Sequence, residues 1–175
     1  MGEAALGPPR TMGVIVSDDS VVIRHAEAAD RPAVVAIWRA AGLTRPWNDP
    51  DSDFSLALDS VASTVLTAWR SDVLVGAAVV GEDGHRGALY YLGVDPAAQR
   101  CGVGRALVAA AEGWCRARGM PKLNLLVRAE NKGVLAFYEA LGYQGTHCVS
   151  LYHTLDEAVG ERERVQKAAW AASLG

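Results

Sequence analysis

A chain of 175 residues, half of them apolar and 21% charged, can build one domain with a proper core but not two comfortable ones. Its net charge of −3 argues against a general nucleic-acid binder, no apolar run approaches the ~20 residues that cross a bilayer, and no secretory pattern opens it, so a cytoplasmic protein without membrane partners is expected. Three cysteines (Cys101, Cys115 and Cys148) form no CxxC pair and no metal-like spacing; they suit reduced thiols, and no metal is expected.

Residues 1–19 are small, Gly/Pro-containing and unpatterned, and read as a disordered leader; the domain is expected to begin at residue 20. Residues 21–24 are strand-like. Asp30 is expected to cap a helix whose apolar face is Val34, Ile37, Trp38 and Ala41, with Gly42 ending it. Residues 43–50 form a two-proline segment carrying Trp47, Asn48 and Asp49, a loop that either serves recognition or uses Trp47 to cover a core edge. A short helix over Phe54, Leu58 and Val61 follows. Residues 64–69 and 73–80 are β-rich runs joined by Arg70-Ser71-Asp72, a hairpin pattern in which Gly76 marks a bulge or a close backbone approach.

The stretch at 89–119 organises the chain. An apolar strand ends at Asp95-Pro96, a glycine-containing turn follows, and a helix opens from it. Val103, Ala106, Leu107, Ala110, Ala111, Trp114 and Cys115 make one apolar stripe at helical spacing, stopped by Gly119 and Pro121. The first N–H groups of a helix lack internal partners and lie at its positive dipole end; Gly102 and Gly104 would let a phosphate approach, and Arg100 and Arg105 add charge. Glycines alone would fit a plain turn equally well. No Lys-Ser/Thr follows them, so this is no P-loop, and Leu107 occupies the third small position of a dinucleotide fingerprint.

Beyond it, residues 122–127 read as a buried strand. Asn131 opens a helix with Val134, Phe137, Tyr138 and Leu141 on one face. Residues 143–155 read as a last strand or strand pair, and 156–175 as a charged, helix-prone tail. The expected order is β-α-α-β-β-β-α-β-α-β, a mixed α/β sheet with helices on both sides.

L-G-V-D-P-A-A-Q-R-C-G-V-G-R-A-L resembles the signature of the GNAT superfamily of N-acetyltransferases, whose loop reads Q/R-x-x-G-x-G/A; here that is Gln99, Gly102 and Gly104. Asn131 ahead of A-F-Y-E-A-L-G-Y extends the likeness, which covers residues ~20–155 in the family's element order. R-P-W-N-D-P, D-G-H-R-G and Y-Y-L-G-V also look like the bacterial YpeA-type subfamily.

The resemblance implies a GNAT-type, mostly antiparallel sheet with splayed central strands, and acetyl transfer from acetyl-CoA to an amine without a metal. The pantetheine arm would pair with backbone at Leu92 and Val94. The pyrophosphate would sit on Gln99, Arg100, Cys101, Gly102, Val103, Gly104 and Arg105, and Asn131 would contact the cofactor, although Asn131 could equally be a helix N-cap. Val94 N–H would polarise the thioester oxygen, and Tyr138 matches the family's general acid; packing is its competing role. Some protein N-terminal acetyltransferases of the family carry Glu where this chain has Leu126. The base is therefore open among Glu82, Asp83, His85 and a water chain, His85 because histidine changes charge near neutral pH.

Trp47, Asn48, Asp49, Asp83 and His85 are expected to line the acceptor pocket, for a small-molecule or peptide amine; a homodimer is left open. Two other readings compete: a module that holds acetyl-CoA without turnover, and an interaction protein whose basic loop binds another phosphate while its tail mediates assembly.

Overall fold

The computed structural model describes residues 14–16 and 21–173. They divide into two compact units, one containing Pro50–Leu126 with the chain up to Leu43, the other Thr44–Asp49 with the chain from Val127 onward.

The first unit is a six-stranded sheet whose spatial order is its chain order: β1 (Val14–Val16), β2 (Val21–His25), β3 (Ser63–Arg70), β4 (Val73–Glu82), β5 (Gly87–Val94) and β6 (Leu123–Leu125). Neighbours are antiparallel from β1 to β5, and only β5 and β6 run parallel. Helix α1 (Arg31–Ala40) and helix α2 (Pro50–Asp59) precede β3, and α3 (Val103–Ala117) crosses from β5 to β6.

Two glycines show how the layers stack. A Cβ on Gly93 would meet Trp38 and Ile37, so that face carries α1; a Cβ on Gly76 would lie 2.9 Å from Val103 Cγ1 and 3.1 Å from Leu107 Cδ1, so the other face carries α3. Gly76 therefore marks a close approach of helix to sheet. On the α1 side the core is built from Val34, Val35, Trp38, Phe54, Val65 and Ala77, with Tyr91 packed against it. On the other, Val103, Ala106, Leu107, Ala110, Ala111 and Cys115 of the apolar stripe are buried, and Trp114 is half-buried with Arg118 over its ring. The β3–β4 hairpin turns on Ser71 and Asp72, both at positive φ (47° and 63°), as a two-residue primed turn requires.

The second unit holds α4 (Lys132–Glu139), α5 (Glu157–Ser173) and the 44–49 segment. Tyr138 is buried there, and Val134, Phe137 and Leu141 are half-buried.

Several expectations need correction. Val14–Val16, inside the supposed disordered leader, pair with β2; the rest of that leader lies outside the described residues. Asp30 is the N-cap residue of α1 as expected, but its side chain makes no bond to that helix; it accepts instead from Glu27 N–H at 2.8 Å and closes the short 3₁₀ turn just before it. Val61 lies beyond the end of α2 and is 89% exposed. Strand β6 is only Leu123–Leu125. No strand forms over 143–155, where Val149, Leu151, Tyr152 and Leu155 are exposed; β-rich composition by itself does not secure a ladder partner.

Candidate active site

The loop from β5 to α3 is built by local hydrogen bonds. Asp95 Oδ1 accepts from Ala97 N–H at 2.8 Å, closing the turn at Pro96–Ala98, and Gln99 Nε2 donates to Val94 O at 3.3 Å. Arg70 Nη2 donates to Cys101 O at 3.2 Å, tying the loop to β3. Arg100 (φ +59°) and Gly102 (φ +80°) are left-handed, and Gly102 hands directly to helical Val103. No side chain caps α3, so the first N–H groups of the helix keep no internal partner. Arg100 and Arg105 are exposed and form no ion pair among the described residues. A helix N-terminus with unused donors, a Gly in the left-handed region and two free guanidinium groups fits a pyrophosphate.

Beside this loop the sheet opens. Strand β6 pairs with β5 only at Gly87, Ala88 and Leu89, so among the described residues β5 continues to Val94 with no strand on that edge. A bulge lies in the same stretch: Ala77 pairs with Gly93 and Val79 with Tyr90, so Tyr91 and Leu92 face Ala78 alone. Leu92 and Val94 are thus on a strand edge open to another extended backbone.

A cavity of about 470 Å³ lies at the opposite end of β5, lined by residues that include Ser63, Glu82, Asp83, Tyr90, Asn124 and Leu126. Asp83 accepts from His85 N–H (2.8 Å) and Arg86 N–H (2.6 Å), and these bonds, the Arg86 one foremost, hold its carboxyl below the usual range. Glu82 pairs with Arg118 at 3.6 Å. Exposed Leu126 puts a hydrocarbon side chain on the cavity wall. His85 is exposed and does not line this cavity.

In the second unit, Tyr138 is 7% exposed, with Phe137 and Tyr143 rings edge-on at 5.0 and 5.4 Å. Burial pushes its phenol up to about 12. Asn131 is the N-cap of α4, its Oδ1 accepting from Val134 N–H at 3.3 Å. Trp47 meets Trp170 of α5 edge-on at 6.4 Å, and Lys167 lies over the Trp47 ring at 5.5 Å, so the tail helix and the two-proline loop share one aromatic cluster. Asn48 and Asp49 are exposed in that loop. Of the five expected acceptor residues, Trp47, Asn48 and Asp49 belong to this unit and Asp83 and His85 to the first.

Among the described residues no group of three or more His, Cys, Asp or Glu is placed to hold a metal ion, and no helix is long and apolar enough to cross a membrane.

The family model for the acetyltransferase (GNAT) family matches residues 22–143. The chain belongs to the GNAT acetyltransferase family. An acetyltransferase of Pectobacterium atrosepticum is 39% identical over 135 residues, spanning 77% of this chain and 96% of that one. One of Yersinia enterocolitica is 40% identical over 129 residues, 74% and 92% of the two chains. Among solved structures, the ribosomal-protein-S18-alanine N-acetyltransferase of Escherichia coli is 28% identical, with a TM-score of 0.64 over 78% of this chain and 86% of that one. The aminoglycoside acetyltransferase AAC(6')-Iy, solved with a bisubstrate analogue of CoA, shares the fold at a TM-score of 0.68 and 19% identity, covering 78% and 99%.

This GNAT protein is an acetyl-CoA-dependent N-acetyltransferase. The fold agrees with the expected mixed, mostly antiparallel sheet whose central strands part. One feature near the opening had no signal in the sequence: Tyr91 Oη donates to Asp53 Oδ2 at 2.6 Å across a separation of 38 residues. Neither residue belongs to the loop motif, and a left-handed tyrosine (φ +52°) has no composition signature.

Proposed function

We propose that this GNAT enzyme transfers acetyl to a primary amine by direct attack: the amine nitrogen bonds to the acyl carbon, the C–S bond breaks, Tyr138 as general acid protonates the departing thiolate, and the proton lost by the amine leaves through water. Acetyl-CoA supplies an activated acyl group as a thioester; the protein's part is to hold it, polarise it and manage protons. The observation that supports the acid assignment is the place of Tyr138 in the A-F-Y-E run that follows Asn131: a phenol is protonated at neutral pH already at its ordinary value of about 10, burial pushes it further up, and its O–H can donate to a departing thiolate.

Cofactor binding is assigned to the N–H groups from Gln99 through Arg105, with Arg100 and Arg105 opposing phosphate charge and Cys101 contributing backbone only. Leu92 and Val94 would pair with the pantetheine amides along the open edge of β5, Val94 N–H would polarise the thioester oxygen, and Asn131 would meet the cofactor from the start of α4. Asn131 has a capping role as well, so its replacement would also cost helix stability, about 1 kcal/mol.

For the acceptor we assign, in the first unit, Asp83 with the cavity beside it and His85, and, in the second, Trp47, Asn48 and Asp49. Asp83 is a binding group more than a base, since its two N–H bonds stabilise the carboxylate and lower its proton affinity. An apolar Leu126 on the cavity wall favours a mechanism unlike that of glutamate-bearing N-terminal acetyltransferases, and the loops 45–50 and 83–87 support placement in the YpeA-type subfamily.

The test is free-thiol release from acetyl-CoA against a panel of small amines and peptides, wild type beside Tyr138→Phe. Amine-dependent release that falls about 10²-fold or more in the variant supports the assignment. Release that is unchanged in Tyr138→Phe removes Tyr138 as the acid; stabilisation by acetyl-CoA with no release from any amine replaces the transferase mechanism by that of a binding module.

A further inference from the structure

We infer that Asp53 and Tyr91 form a clamp that fixes the bulge of β5, and that both are positioning residues for acetyl transfer. The inference rests on the reading that the thioester lies along the β5 edge at Leu92 and Val94.

The starting observation is backbone strain. Tyr91 has φ +52°, a conformation that a bulky aromatic residue adopts only when its surroundings over-determine it. Those surroundings are visible. Its hydroxyl donates to Asp53 Oδ2 at 2.6 Å, and its ring stacks on Trp38 at 4.5 Å with the planes 30° apart. Trp38 is fully buried, with an indole N–H that has no partner among the described residues, so the ring cannot swing aside to find solvent. Asp53 lies in the first turn of α2, where the helix dipole favours a carboxylate, and the next residue, Phe54, is 1% exposed and locks that turn into the core. Tyr91 is thus held by two helices on the same face of the sheet.

What the clamp holds is the strand register. Because Tyr91 and Leu92 stand opposite Ala78 alone, the residues beyond them are displaced by one position relative to a regular ladder. If Tyr91 relaxed to an extended φ, the bulge would be free to shift along the strand, and the polar groups of Leu92 and Val94 would turn away from their present edge. Remote helices would then decide where the strand presents its donors, and a misplacement of about 1 Å there is worth about 10²-fold in rate.

The experiment uses the full chain with Tyr91→Phe, Asp53→Ala and the double variant. Tyr91→Phe retains the ring and its stack on Trp38, so folding is preserved while only the hydroxyl bond is lost. The expected result is a kcat about 10- to 100-fold lower in each single variant, with acetyl-CoA affinity changing far less, since the phosphate loop is untouched. A clamp acts as one unit, so the double variant should be no slower than the worse single variant. The pH profile of kcat should keep its shape. Amide hydrogen exchange over 91–94 in the unliganded protein should quicken in both single variants, a readout independent of turnover.

Wild-type kcat in either variant, or unchanged exchange over 91–94, overturns the clamp. A pH limb lost only in Asp53→Ala overturns it differently, making Asp53 a proton acceptor. Failure of the wild type to bind acetyl-CoA would sink the parent reading, and the exchange measurement would still judge the clamp.

Discussion

Gly76→Ala tests how the phosphate loop is supported. The added methyl would stand 2.9 Å from Val103 Cγ1, 3.1 Å from Leu107 Cδ1 and 3.1 Å from Gly93 O, where carbon contacts ordinarily settle at about 3.5–4.0 Å. Val103 is 1% exposed and β-branched, so its side chain cannot rotate away, and the first turn of α3 must lift from the sheet. Overpacking of this kind costs about 1–3 kcal/mol, offset by about 0.4–1 kcal/mol from the stiffer unfolded chain. The net loss of about 1–2 kcal/mol should lower Tm by about 2–8 °C for a chain of this size. Lifting Val103 also moves the N–H groups of Gly102 to Arg105, so the acetyl-CoA Kd should rise about 10- to 100-fold, equivalent to losing one charge-assisted hydrogen bond. Thermal melting and titration calorimetry read both effects. Gly113→Ala is the control: it lies in the same helix with nothing within 4 Å of its built Cβ, and should stabilise by about 0.5–1 kcal/mol without altering Kd. A Gly76→Ala protein that melts at or above the wild-type temperature and binds acetyl-CoA equally well would refute the seating of α3 on that glycine.

Three further outcomes are expected. Arg100→Ala and Arg105→Ala should each raise the acetyl-CoA Kd and flatten its dependence on salt, measured by calorimetry at two ionic strengths; equal salt slopes in wild type and variants would remove the arginines from the phosphate site. Because burial raises Tyr138 to about 12 from the ordinary 10, its contribution to stability is fully present below pH 10 and is lost as pH rises toward 12, by about 2–3 kcal/mol; urea unfolding across that window should show wild type losing more than Tyr138→Phe by about that amount, and equal losses would refute it. Trp47→Ala and Asp49→Ala should raise the acceptor KM or lower turnover while acetyl-CoA affinity holds, and unchanged kinetics with an identified acceptor would dismiss that loop from recognition. Trp47→Ala should also loosen α5, since it removes a partner of Trp170 and Lys167, which limited proteolysis would report.

The glycine loop, the apolar stripe of α3, the β3–β4 hairpin and the family itself were legible in the sequence because each is local. Period 3.6 along α3, a turn pair at Ser71-Asp72 and fixed spacing from Gln99 to Gly104 all arise from neighbours in the chain. Cys115 read as core for the same reason and is 2% exposed. Tertiary structure decided the rest. Strand pairing is settled by tertiary contacts and not by composition, so the β-rich run at 143–155 has no strand partner among the described residues while the short Val14–Val16 segment does. The bond from Tyr91 to Asp53, the stack on Trp38 and the approach of Val103 to Gly76 join residues far apart in sequence. Their energies come from burial and hydrogen bonding that exist only once the sheet and its helices have met.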